Sequence, residues 1–196
     1  MARKKPLGLP PAAAKTGDVY RLKVALEYLK PQIWRRIEVP DCTLEMLHVV
    51  IQRLMPWDSS HLWCFQVGRT RYQDEEFLDF PEDRPASEAT LGQLAAAGVK
   101  KFRYTYDFGD SWDHQVTIEK TVPREAKIKY PRCTAGARAC PPDDCGGYPG
   151  YERLLAVLGH PKDPEHEDML EWAGGPIDPE AFDPDAINKD LAKLKM

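Results

Sequence analysis

The run Tyr104-Thr-Tyr-Asp-Phe-Gly-Asp-Ser-Trp-Asp-His114 gathers three aspartates, one histidine and four aromatic residues around a single glycine. A segment that only reverses the chain does not need so much ionisable chemistry. Read with the period of two that a strand imposes, Asp107 and Asp113 fall on the polar faces of two arms, one on each side of the turn. Facing carboxylates repel, raise one another's pKa or share a cation. His114 belongs by the same alternation to the opposite face, with Trp112 and Val116, and only a bulge at Gly109 would bring it to the aspartates. The structural alternative is a turn in which Asp107 and Asp110 accept backbone N–H bonds and Gly109 takes a positive φ.

A second constellation follows. Cys133, Cys140 and Cys145 lie within thirteen residues and could present thiolates to zinc, with His114, His160 or His166 as a distant fourth ligand. The spacings of six and four intervening residues are not those of paired zinc knuckles. Reduced cysteines in a Pro/Gly-rich loop are the structural alternative. Gly146 and Gly147 precede a helical pattern, but Asp143 and Asp144 beside them would repel a phosphate and instead cap backbone donors or hold a cation. The P-loop, H-E-x-x-H, G-x-S-x-G and zinc-deaminase signatures are absent.

The elements that must position these residues follow from periodicity. Tyr20, Leu22, Val24, Leu26 and Tyr28 alternate along one strand, Lys30-Pro31-Gln32 turns, and residues 33–39 alternate along a second. Thr43 is an N-cap, and Leu44, Leu47, Ile51, Leu54 and Met55 form one helical stripe, with His48 beside it as a structural histidine. Residues 61–67 make a third strand continuing through Tyr72. Residues 73–89 form an acidic, proline-bearing loop long enough to suggest a lid or binding loop. Leu91–Gly98 is a short helical turn, and residues 102–106 and 112–119 are the arms of a second hairpin. The fold class is therefore α+β: a mixed sheet of two hairpins plus a strand on one helix, in β-grasp-like order. Asp163-Pro-Glu, Asp178-Pro-Glu and Asp183-Pro-Asp predict acidic C-terminal helices that cover one side of the sheet. Residues 1–17 read as a disordered tail and 18–196 as one domain.

Composition narrows the function classes. Residues 1–140 carry 22 basic and 18 acidic side chains, and residues 141–196 carry 5 and 13, so a net of +4 meets a net of −8. A wholly basic nucleic-acid platform is excluded, although Arg35, Arg36, Arg69 and Arg71 could form a local patch. No secretory or transmembrane run appears, and the odd count of five cysteines suits reduced thiols, so the chain reads as soluble and cytoplasmic.

Three blocks carry a resemblance: Tyr28-Leu-Lys-Pro-Gln-Ile-Trp-Arg-Arg-Ile37, Tyr106-Asp-Phe-Gly-Asp-Ser-Trp-Asp-His114 and Pro141-Pro-Asp-Asp-Cys-Gly-Gly-Tyr-Pro-Gly-Tyr151. In this order they resemble the plasmid pRiA4b ORF-three-like family, from about Val19 to Leu194. The resemblance implies an α+β fold and, through members labelled TnpR-like proteins of insertion elements, a setting in the control of transposition. Asp143 stands where the family pattern has glutamate, which shortens a ligand's reach but keeps its charge. Two functions compete. One is an accessory or interaction module whose polar loops bind a protein, nucleic-acid or metal partner. The other is a metal-dependent, hydrolase- or nuclease-like enzyme using Asp107, Asp110, Asp113, His114 and Asp144 with zinc or another divalent cation. The enzyme requires the turn at Gly109 and the loop at Cys145 to converge in one cleft.

Overall fold

Apolar residues at a period of two, then of 3.6, build the first units of the chain. The computed structural model describes residues 8–10 and 18–196; the tail expected over 1–17 lies outside them, apart from 8–10, where Leu9 packs against the core. β1 (Asp18–Leu26) pairs antiparallel with β2 (Trp34–Pro40), placing Leu22 opposite Ile37. The helix α1 (Leu44–Leu54) begins where the Thr43 side chain accepts the Met46 amide at 3.1 Å. Its buried stripe, including Leu47 and Ile51, joins Leu22, Val24, Tyr104 and Val116 in the core.

The next strands pair across a longer span. β3 (Trp63–Val67) turns at Gly68 into β4 (Thr70–Gln73), and β5 (Arg84–Pro85) pairs parallel with β4. After α2 (Leu91–Ala96), β6 (Lys101–Tyr106) and β7 (Trp112–Pro123) form a hairpin, and β8 (Arg132–Ala137) follows. All eight strands lie in one mixed sheet, ordered β5-β4-β3-β6-β7-β1-β2-β8. The opposite, polar face carries ion pairs between Arg21 and Glu38, Arg132 and Glu38, and Arg36 and Glu119. Three helices complete the chain: α3 (Gly147–Leu158), α4 (His166–Trp172) and α5 (Pro184–Leu191).

Several expectations need correction. The stretch expected as one strand through Tyr72 is a hairpin, because Gly68 adopts φ +59° and reverses the chain. The loop over 73–89 contains β5 and two 3₁₀ turns, so it is an ordered excursion. β8 lies in the region read as a cysteine loop; its Thr-Ala-Gly-Ala stretch has no apolar alternation, but it pairs with β2 at the sheet edge. Of the three Asp-Pro-acid motifs, only Asp183 caps a helix, accepting from Asp185 and Ala186. Asp163 and Asp178 instead accept one amide each, from Glu165 and Glu180. The four-arginine patch is also dispersed. Arg35 is 2% exposed and bonds the carbonyls of Trp34, Ala137 and Arg138, while Arg36 and Arg71 pair with Glu119 and Asp79.

Candidate functional site

β6 ends at Tyr106, and the chain turns at once through Asp107, whose φ is +55°. Its Oδ1 accepts the amides of Gly109 at 2.8 Å and Asp110 at 3.3 Å, so one carboxylate oxygen caps the turn in the way its sequence suggested. The other oxygen, Oδ2, lies 3.8 Å from Nδ1 of His61. The Asp107 amide donates to the Leu62 carbonyl at 2.8 Å, which ties this turn to the entry into β3 and sets His61 beside it. On its far side the His61 ring presents Nε2 to Oδ1 of Asp144 at 3.1 Å.

Asp144 arrives from a loop held in several places. Asp110 Oδ2 accepts the Gly146 amide at 3.1 Å, Asp143 Oδ2 accepts the Asp58 amide at 3.3 Å, and Trp57 Nε1 donates to the Pro141 carbonyl at 2.9 Å. Gly147, at φ +67°, leaves no room for a side chain, since a Cβ there would sit 2.7 Å from the Asp110 carbonyl oxygen. The turn and the loop therefore meet. Asp144 itself adopts φ +57°, an uncommon conformation for a non-glycine residue and one concentrated at functional sites.

His61, Asp107 and Asp144 each offer one ligand atom within 4.8 Å of the others, and they are the only such group of three among the described residues. Their burial is graded: Asp107 is buried, His61 half-buried and Asp144 exposed, which leaves an open side toward solvent. No lysine or arginine pairs with either aspartate among the described residues. Burial raises the carboxyl pKa of neighbouring Asp143, whose Oδ1 lacks a hydrogen-bond partner. Tyr106, fully buried, packs its ring against His61 at 5.7 Å. A histidine nitrogen with two carboxylates is a ligand set for a divalent transition-metal cation such as zinc or manganese.

The other expected site residues lie elsewhere. In the hairpin register Asp113 stands opposite Thr105, whose hydroxyl it accepts at 2.5 Å, so it does not face Asp107, which lies beyond the paired residues. His114 is fully buried, its Nδ1 donating to the Trp112 carbonyl at 2.9 Å and its ring edge-on to Trp57. No bulge carries it to the turn. The three cysteines do not converge. Cys133 sits in β8 against Asn188 of α5, Cys140 contacts Met55 and Arg35, and Cys145 stays in its own loop. Burial pushes the Cys140 and Cys145 thiols up to about 11 and about 12 and raises Cys133 as well, so all three hold their protons at neutral pH. His160 and His166 bond the Ala156 and Val157 carbonyls at the end of α3.

His61 is the residue that sequence reasoning missed. Its local context is an unremarkable turn before a strand. The signal would have been the pairing of β3 with β6, where Trp63 stands opposite Tyr106 and carries the preceding residues alongside Asp107. Two recesses flank the group. A cavity of about 180 Å³ beside His61 is lined by Trp63, Gln73, Phe77 and Phe108. A groove of about 420 Å³ beside Asp144 runs between α3 and α4 past Leu154, Met169 and Trp172.

The chain is similar to other proteins in sequence and in solved structure. The family model described as plasmid pRiA4b ORF-3-like protein matches residues 18–186. An uncharacterized protein, y4hQ, of Sinorhizobium fredii is 38% identical over 160 residues, covering 80% of this chain and 81% of its own. A crystal structure of a protein of unknown function, MM3350 of Methanosarcina mazei Go1, is 40% identical with a TM-score of 0.80, covering 89% of this chain and 97% of its own.

Proposed function

The chain belongs to the plasmid pRiA4b ORF-3-like family, and from that premise we propose that it is a cytoplasmic accessory module whose polar site takes a divalent cation on His61, Asp107 and Asp144. The observation that carries the reading is the meeting of three donor side chains from three separate segments, with no lysine or arginine paired to the two aspartates among the described residues. Asp110 and Asp143 serve as positioning residues: Asp110 holds the turn to the loop, and Asp143 holds the loop to the segment before His61. Three protein ligands leave coordination positions for water or for a donor from a partner. The family description refers to a plasmid reading frame, which supports placing the module beside mobile elements. Five free cysteines support a reducing compartment, and no helix among the described residues is long and apolar enough to cross a membrane.

Titration calorimetry of metal-free, untagged protein with zinc and then manganese tests the reading. One ion per chain with Kd below about 100 µM is expected, since three donors converge. Asp107→Asn retains the carbonyl oxygen that accepts the Gly109 amide, so stability should change by less than about 1 kcal/mol while affinity falls at least tenfold. Equal affinity in wild type, Asp107→Asn and His61→Ala would end the proposal. The metal-dependent hydrolase alternative uses the same ion; phosphodiester turnover by the loaded protein, abolished by Asp107→Asn, would replace the binding reading.

A further inference from the structure

We infer that the outer surface of the 74–82 excursion and the neighbouring Phe108 form a docking face for a basic peptide segment with bulky apolar anchors. Five large hydrophobic side chains are exposed on this one side of the molecule: Leu62, Phe77, Leu78, Phe80 and Phe108, with Phe77 and Phe80 half-exposed at 50% and 55%. They form a connected surface. Leu62, Phe77 and Phe108 line the same cavity beside His61, Leu78 and Phe80 line a shallow groove next to it, and the Arg71 guanidinium lies 5.6 Å from both the Phe80 and Phe108 rings.

The aromatic rings are held outward on a rigid support. Gln73 is buried and donates to the Phe77 carbonyl and to Asp83, and buried Asp83 also accepts the Phe80 amide at 3.2 Å. Arg71 ties the excursion down through Asp79 at 2.6 Å. A loop free to collapse would bury its phenylalanines; this one keeps them in water, and its ordering cost is met before any partner arrives.

Charge selects the occupant. Residues 74–82 carry Asp74, Glu75, Glu76, Asp79 and Glu82 and no basic residue. Glu75, Glu76 and Glu82 are exposed and form no ion pair among the described residues, whereas Asp79 is taken by Arg71. The groove also holds one exposed arginine, Arg84, but the three unpaired glutamates outnumber it, so the rim as a whole repels nucleic-acid phosphate and anionic lipid headgroups. An isologous contact between two copies would set like charges against each other. A segment combining Lys or Arg with Trp, Phe or Leu satisfies both the rim and the apolar centre.

The test is selection of a random dodecapeptide display library on the full chain in chelator, followed by fluorescence anisotropy of labelled selected peptides. Enrichment of basic peptides with aromatic or aliphatic anchors is expected. Binding should weaken at least tenfold with Phe77→Ser/Phe80→Ser, and several-fold at low salt with Glu75→Gln/Glu76→Gln/Glu82→Gln. These positions are exposed, so unchanged melting confirms that the variants fold. No enrichment, enrichment of acidic peptides, affinity unaffected by both variants, or self-association of the protein lost in the phenylalanine variant would each overturn the inference. Chelator keeps this outcome separate from that of the cation site.

Discussion

Lowering the pH from 7 to 5 should destabilise this protein by about 4 kcal/mol through two buried imidazoles. Burial lowers His48 from 6.5 to about 3 and His114 from 6.5 to about 4. His48 stacks on Trp63 at 4.1 Å and bonds the Tyr104 hydroxyl, which also accepts from Gln52; His114 lies within the Trp57, Tyr104 and Trp112 cluster. Neither imidazole has a carboxylate partner to compensate a proton. In the unfolded chain both take up a proton below about pH 6.5, while in the folded chain neither does until pH 4 or below. The unfolded state then binds more protons, so stability falls as pH falls, by about 1.4 kcal/mol per unit for each histidine once pH is well below 6.5. Each contributes about 2 kcal/mol of loss between pH 7 and 5, a large part of a typical total of roughly 5–15 kcal/mol. Carboxylates held low by arginine, such as Glu119 beside Arg36, lose their contribution as pH falls from the ordinary carboxylate value of 4.5 downward, which leaves most of the window between pH 7 and 5 to the histidines. Urea unfolding at pH 7, 6 and 5 measures the slope, and His114→Gln should reduce it by about half. A flat profile, or an NMR titration in which His114 protonates near pH 6.5, would refute the burial argument and return His114 to the list of accessible site residues.

Two further outcomes follow from packing. Gly147→Ala places a Cβ 2.7 Å from the Asp110 carbonyl oxygen at φ +67°, so it should cost more than about 1 kcal/mol in urea unfolding and also weaken cation binding, because turn and loop are pushed apart. Leu47→Ala, in the fully buried stripe of α1, should cost about 2–5 kcal/mol; a loss below about 0.5 kcal/mol would show that this helix does not anchor the sheet.

Periodicity is local, and what depends on it was legible in the chain. The alternation of Leu22 and Val24, and of Phe102, Tyr104 and Tyr106, marks strands whichever partners they find. The Leu47 and Ile51 stripe likewise marks a helix, and Thr43 a cap. Even the backbone-capping role of Asp107 was readable, because an aspartate two residues before a glycine needs only neighbouring amides. The same alternation kept His114 off the polar face. The composition of the candidate site depended instead on contacts between segments distant in sequence. His61 reaches Asp107 only because β3 pairs with β6, and Asp144 joins them only because Gly146 and Gly147 let the loop approach Asp110 closely. The cysteines were close in sequence, yet the pairing of β8 with β2 buries one thiol against α5 and leaves the others with different neighbours. Arg35 looked like a surface cation and became a buried staple because β8 and the chain after it bring carbonyls around it. Residue type and period decide which face a side chain takes; register and loop closure decide what it meets there.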